Sequence, residues 1–261
     1  MPGKMNGKRV LVTGSGTGIG REVALEFARQ GAGVALHYAN SKAGAESAVA
    51  EIRAAGGQAD LLQADLGQVE ECFRLVDFAA GFLGGLDVLV NNAGITEVWD
   101  FLDVTPAQFD QLYHVNIRGQ FFCAQQAVRH MLKQEGGVII NMTSVHAFAG
   151  MAGHSVYAGT KGAIMAWTRE LGIELARQNI RVNAVAPGWI EVPSHRAKYA
   201  DYDVEAGGRQ IPLGRVGAPI DVAKVCAFLA SEDAAFIVGH TLLVDGGTIA
   251  LMSLAELETQ A

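Results

Sequence analysis

The chain has 261 residues, half of them hydrophobic and 18% charged, a composition that fills a full core and is far from that of a disordered segment. Its net charge is −7 and its 20 basic residues are scattered, which argues against a nucleic-acid or anionic-membrane partner. Cys72, Cys123 and Cys226 lie far apart with no CxxC pair, so no disulfide framework and no metal site is indicated, and buried thiols are expected.

The first nine residues are basic, but the apolar stretch that follows, Val10-Leu11-Val12, stops at Thr13-Gly14. That is shorter than the ~7–15-residue core of a signal peptide and the ~20 residues of a membrane span, and a soluble cytoplasmic protein is expected. Short β-branched runs at residues 9–13, 33–38, 59–64, 87–90, 138–142, 181–186 and 242–244 read as seven strands. The segments between them are mostly long enough for crossover helices, with apolar stripes such as Val23, Phe27, Ala28 and Phe73, Val76, Ala80. Apolar strands alternating with helices predict an α/β fold: a single-domain, doubly wound sheet of seven parallel strands with helices on both faces. Gly56-Gly57, Gly84-Gly85 and Gly136-Gly137 punctuate helix-to-strand junctions within one domain spanning residues 1–261.

After the first strand, Thr13-Gly14-Ser15-Gly16-Thr17-Gly18-Ile19-Gly20 runs through a glycine loop into a helix start. Glycines let the backbone approach a pyrophosphate, which free N–H groups and the positive end of the helix dipole neutralise. The spacing G-x-x-x-G-x-G differs from G-x-G-x-x-G, and no phosphate-loop lysine follows. Asp65-Leu66 after the third strand and Asn91-Asn92-Ala93-Gly94 after the fourth bring two more turns to the same crevice, where adenine and ribose fit. The second strand ends in His37-Tyr38-Ala39-Asn40-Ser41, without the acid that an NAD-preferring protein sets against the ribose 2′-hydroxyl. Asn40 and Ser41 are suited to hydrogen-bond a 2′-phosphate, with Arg21 or Lys42 to add charge, so NADP is favoured over NAD.

Tyr157 and Lys161 are four residues apart, a spacing that puts phenol and ammonium on one helical face. An alcohol yields a hydride to nicotinamide only if its proton leaves too, and a phenol at pKa ~10 is a poor base at pH 7. A positive charge about 4 Å away at an effective dielectric near 20 is worth ~4 kcal/mol, or roughly three pKa units. Lys161 is therefore expected to lower the Tyr157 pKa, and Ser144, at the end of an apolar run, to donate to the substrate oxygen.

Together these motifs resemble the short-chain dehydrogenase/reductase family over essentially the whole chain, from Thr13-Gly14 to Asp245-Gly246-Gly247. The resemblance implies a Rossmann fold binding NAD or NADP and a catalytic tetrad of Asn116, Ser144, Tyr157 and Lys161. In those roles Tyr157 is the acid/base, Ser144 polarises the substrate oxygen, Lys161 lowers the tyrosine pKa and binds ribose, and Asn116 positions a relay water. It implies cofactor contacts at Gly14, Ser15, Thr17, Gly18, Ile19, Gly20, Tyr38, Asn40, Ser41, Asp65, Leu66, Asn92, Ala93, Gly94, Pro187, Gly188 and Ile190, and a homotetramer. One departure is Val192, where the family usually places a threonine that holds the carboxamide.

Residues 189–215 break the strand-helix rhythm with Pro193, Pro212 and clustered charge, and read as a substrate lid. Ser144-Val145-His146 and Pro187-Gly188-Trp189 resemble the family's bacterial sugar 1-dehydrogenases, which implies an aldose oxidised at C1 to its lactone. Ser144, His146, His154, Tyr157, Trp189 and Arg196 are the expected substrate contacts. The alternatives are a 3-oxoacyl-ACP reductase, although no basic cluster meets an acidic carrier protein, or another ketone reductase, and a dinucleotide sensor that does not catalyse.

Overall fold

The computed structural model describes residues 3–193 and 203–252. Seven parallel strands form one sheet: β1 (Arg9–Val12), β2 (Gly33–Tyr38), β3 (Ala59–Gln63), β4 (Val88–Asn91), β5 (Gly137–Met142), β6 (Ile180–Pro187) and β7 (Thr241–Val244). Their order is β3-β2-β1-β4-β5-β6-β7, so the winding reverses between β1 and β4. A crevice opens at such a reversal, beyond the C-terminal strand ends. The predicted strands match the observed ones to within a residue at each end.

Side chains alternate across the sheet as the two-residue strand period requires. Val10, Val12, Val138 and Ile140 enter one core with Val23 and Phe27 of α1 (Gly18–Arg29) and Ala48 of α2 (Lys42–Ala54). Leu11 and Ile139 enter the other, with Leu75 and Val76 of α3 (Val69–Leu83) and Ala127 of the later helix Gln120–Met131. Apolar residues on both faces explain why the strands read as continuous hydrophobic runs. Cys72, Cys123 and Cys226 are buried free thiols. Among the described residues no helix is long and apolar enough to cross a membrane.

Between β4 and β5 the chain forms α4 (Pro106–Tyr113), a π-helical turn His114–Gly119, and α5 (Gln120–Met131). The long α6 (Ser155–Leu175) follows β5. A buried polar ladder locks these elements: Thr168 Oγ1 accepts from Asn141 Nδ2, whose amide oxygen accepts from Asn91 Nδ2, which also donates to the Gln120 carbonyl. Such a ladder fixes the register of β4 against β5, because an unpaired buried amide is costly.

At the opposite end of the sheet, Arg9 Nε and Nη2 form a two-pronged bond to Asp87 at 2.9 and 2.7 Å, and Gln134 joins it. Burial raises the Asp87 pKa, but the hydrogen bonds and charge of Arg9 outweigh it and hold the carboxyl below its ordinary value. A depressed carboxylate stabilises the fold above the unfolded pKa, and that contribution disappears as pH falls through the folded one. Asp87→Ala is therefore expected to lose about 2 kcal/mol in urea unfolding at pH 7. The gap from the parent protein narrows below about pH 4.

Candidate active site

The glycine loop sits at the C-terminal end of β1. Gly14 and Gly18 adopt φ values of 64° and 55°, in the left-handed region that favours glycine. A Cβ on Gly20 would lie 2.3 Å from the Gly14 carbonyl oxygen, and one on Gly16 would lie 2.1 Å from Ser41 Oγ. The first turn of α1 carries no acid, and its N-cap Thr17 makes no side-chain cap, so its N–H groups are left for an anion. Loop and helix end together form a cradle of the kind a pyrophosphate fits.

Buried polar groups hold that loop in place. Thr13 Oγ1 accepts from the backbone N–H of Asn92 and of Ala93, both at 3.0 Å, while Asn92 Nδ2 donates to the carbonyls of Thr13 and Gly14. His37 Nδ1 accepts from Gly14 N at 2.9 Å and its Nε2 lies 3.0 Å from the Ala64 carbonyl, which fixes the neutral tautomer with the proton on Nε2. Burial lowers the His37 pKa. Sequence reasoning missed Thr13 and His37 as loop anchors; a histidine in an apolar strand run was the available signal.

Tyr157 and Lys161 lie on α6 and Ser144 follows β5, and all three line a cavity of about 200 Å³. Ile19, Asn92, Gly94, Pro187, Gly188 and Ile190 line it too. Val192 is there as well, with its Cγ1 3.1 Å from where a Cβ on Gly18 would stand. Thr143 Oγ1 donates to the Lys161 carbonyl at 2.8 Å, pinning α6 to the end of β5. Lys161 Nζ donates to the Met142 carbonyl at 2.9 Å and lies 5.4 Å from the centre of the Tyr157 ring.

The expected lowering of the Tyr157 pKa is reversed in this structure. Burial pushes the phenol up to about 12, and the hydrogen bond with Ser144 offsets only part of it. Lys161 is itself pushed down to about 8 by burial. The physical reason is that the ammonium lies over the ring and bonds a carbonyl, while removal from water penalises both charged forms. At neutral pH the phenol is protonated and the ammonium is charged, the state needed to deliver a proton to a carbonyl oxygen.

The π-helical turn delivers Asn116 to the buried floor of the site. Its Oδ1 accepts from Ile95 N at 2.8 Å, and its Nδ2 donates to the Ile95 carbonyl and to Thr160 Oγ1. A Cβ on Gly94 would stand 3.2 Å from Asn116 Oδ1 and 3.6 Å from Lys161 Nζ, so glycine there keeps both groups clear.

A family profile described as Enoyl-(Acyl carrier protein) reductase matches residues 14–248. Elsinochrome reductase 1 of Elsinoe fawcettii is 42% identical over 255 residues, covering 93% of this chain and 95% of that one. The chain belongs to the short-chain dehydrogenase/reductase family. Tetrahydroxynaphthalene reductase of Pyricularia oryzae is 40% identical over 256 residues, covering 93% and 90% of the two chains. A short-chain dehydrogenase from Burkholderia cenocepacia, solved with NADP, superposes with a TM-score of 0.88 at 36% identity, covering 94% of this chain and 99% of that one. The protein is an NAD(P)-dependent oxidoreductase of this family, and the cradle and cavity fit that cofactor.

Not every expected contact of this short-chain dehydrogenase/reductase is where the sequence suggested. The Ser15 hydroxyl turns inward, donating to the Val12 carbonyl and accepting from His37 N, and its backbone N–H donates to the His37 carbonyl, so neither donor is left for the cofactor. Tyr38 is buried, with its carbonyl accepting from Ala64 N. Asn40 is exposed beside Ser41, whereas Arg21 and Lys42 pair with Glu51 and Glu46. Asp65 Oδ1 accepts from Gly67 N, and Leu66 is buried in the core.

His146 and His154 flank Tyr157, with ring centres 5.3 and 6.3 Å from its ring. Trp189 does not join them: it lines a separate cavity of about 320 Å³, with its ring over Gly207, where a Cβ would meet it at 2.7 Å. Gly207 belongs to a helix Val204–Arg209 within the expected lid, whose base is closed by pairing of Ile190 with Gly217. Arg196 lies outside the described residues. A further cavity, of about 730 Å³, opens at the N-terminal ends of β1 and β2 and contains none of the tetrad.

Tyr157→Phe removes the transferable proton without disturbing the cradle. Turnover is expected to fall by about 10³-fold, while fluorescence titration still detects cofactor binding. Intact turnover would overturn the assignment of Tyr157.

Proposed function

We propose that this enzyme uses NADPH to reduce a ketone on a bulky, largely apolar ring system. The observation that carries the reading is the apolar character of the two segments next to the Tyr157 cavity. Val98, Phe101 and Leu102 follow its lining residue Thr96, Phe148 and Met151 lie between Ser144 and Tyr157, all five are exposed, and Trp99 N donates to the Gly153 carbonyl, tying the segments together next to His154. Exposed apolar residues concentrated beside a cleft favour an apolar ligand. The relatives reported above are reductases named for elsinochrome and tetrahydroxynaphthalene, the second a fused aromatic ring system.

In this mechanism the nicotinamide supplies the hydride. Ser144 Oγ and Tyr157 Oη donate to the carbonyl oxygen, and Tyr157 gives up its proton as negative charge develops there. Lys161, charged below about pH 8, then stands over a phenolate. To Asn116, next to Lys161 across Gly94, falls the water that returns the proton: its Oδ1, which already accepts from Ile95 N, keeps one lone pair for it. The oxidation of an aldose to its lactone is the weaker reading, because Trp189, its intended stacking face, lies over Gly207. NADP preference rests on the strand end Ala39-Asn40-Ser41, which holds no carboxylate to repel a 2′-phosphate.

Steady-state kinetics with NADPH and NADH on bicyclic aromatic ketones, aldoses and an acetoacetyl thioester test this reading. Reduction of a bicyclic ketone is expected, with kcat/KM at least about tenfold higher for NADPH. Turnover confined to aldoses or to the thioester would sink the substrate class, and a tenfold preference for NADH would sink the cofactor choice.

Exposed Ile173 and Phe236, near the edge strand β7, support assembly into a homotetramer. Light scattering is expected to give four times the 27.5 kDa chain mass, and a monomer would refute it.

A further inference from the structure

Two imidazoles stand beside the catalytic phenol, and the reaction assigned above uses neither. His146 lies just after Ser144, in the short turn Val145–Ala147, and His154 immediately precedes α6. Their ring centres are 4.7 Å apart, and each faces the Tyr157 ring edge-on.

Their tautomers follow from their surroundings. His154 Nδ1 lies 3.0 Å from the Ala152 carbonyl, which only accepts, so that nitrogen carries the proton and Nε2 is left as an acceptor. His146 Nδ1 is sealed from solvent with no hydrogen-bond partner. A buried N–H with no acceptor is the rarer and costlier arrangement, which puts the His146 proton on Nε2 and makes that nitrogen a donor. Burial, followed by the charge of Lys161, lowers the His146 pKa and favours the neutral ring. Among the described residues neither Nε2 has a hydrogen-bond partner.

One ring with a free donor and one with a free acceptor, their centres 4.7 Å apart, match one chemical group. A hydroxyl both gives and receives a hydrogen bond, so it satisfies both nitrogens at once. A bare carbonyl or ether uses only the donor, and an ammonium only the acceptor. We infer that His146 and His154 form a hydroxyl-recognition site that selects ketones carrying a ring hydroxyl close to the carbonyl being reduced. The site rests on the ketone-reductase reading and narrows its substrate class. It makes both histidines specificity-determining and leaves proton delivery to Tyr157.

The test compares 1-tetralone with its 3-hydroxy and 8-hydroxy forms, each reduced with NADPH. In the wild type, kcat/KM is expected to be at least about tenfold higher for one of the hydroxylated ketones, the scale of one well-made hydrogen bond to substrate. His154→Phe and His146→Phe each remove half of the pair while keeping a ring, and are expected to bring that ratio to about one. His154→Gln keeps a side-chain acceptor and retains part of the preference; if His154→Phe folds poorly, His154→Gln and His146→Phe carry the test. Equal kcat/KM for all three tetralones in the wild type, or a preference that survives both Phe substitutions, overturns the hydroxyl site while leaving ketone reduction standing. Failure of the wild type to reduce any tetralone overturns the reductase reading, and the site with it.

Discussion

A buried ammonium sets the terms for the whole site. Lys161 is almost entirely out of water, and among the described residues no carboxylate pairs with it; its fixed partner is the Met142 carbonyl at the end of β5. Burial without a counter-ion penalises the charged form, which is why its pKa falls to about 8. Holding the charge there requires α6 to be clamped to β5. The Thr143 bond to the Lys161 backbone and the Asn141–Thr168 bond one face along supply that clamp. The same clamp fixes Tyr157 in the cavity lining, so the polar ladder from β4 and β5 to α6 supports the geometry of the site.

The cofactor half obeys a different constraint, close approach of backbone. Gly16 and Gly20 are glycine because Ser41 Oγ and the Gly14 carbonyl occupy the space that a Cβ needs. A loop with so few side chains has little of its own to hold it. Asn92 and His37 therefore bond its backbone at Gly14, while Thr13 holds the backbone of Asn92 and Ala93, joining the ends of β1, β2 and β4. Each of these bonds fills a donor or acceptor that burial would otherwise leave unmet. Preorganisation of this kind removes an ordering cost that binding would otherwise carry.

The fold, and the gathering of Ser144, Tyr157 and Lys161 at one cavity, were legible in the sequence because both are encoded locally. Strand and helix periods set the sheet, and the four-residue spacing of Tyr157 and Lys161 places both on one helical turn. What was not legible depends on where side chains point after packing. Trp189 reads as an aromatic face for a sugar until Gly207 arrives beneath it from the lid helix. Ser15 reads as a phosphate ligand until its hydroxyl bonds Val12 and His37. The Tyr157 pKa was misjudged for a related reason: a Coulomb term depends on spacing, which the sequence gives roughly, whereas desolvation depends on burial, which it does not give at all.

That pKa bears on the direction of the chemistry. A phenol near 12 keeps its proton at neutral pH, yet remains far more acidic than the alcohol whose alkoxide forms as a ketone accepts hydride. Proton transfer is thus unfavourable before hydride arrives and favourable once it has. The phenolate so formed lies under a lysine that is still charged at pH 7, and each pKa unit of stabilisation it receives there is worth 1.36 kcal/mol. In the proposed reduction, burial therefore keeps the proton on Tyr157 until the ketone oxygen has become basic enough to take it.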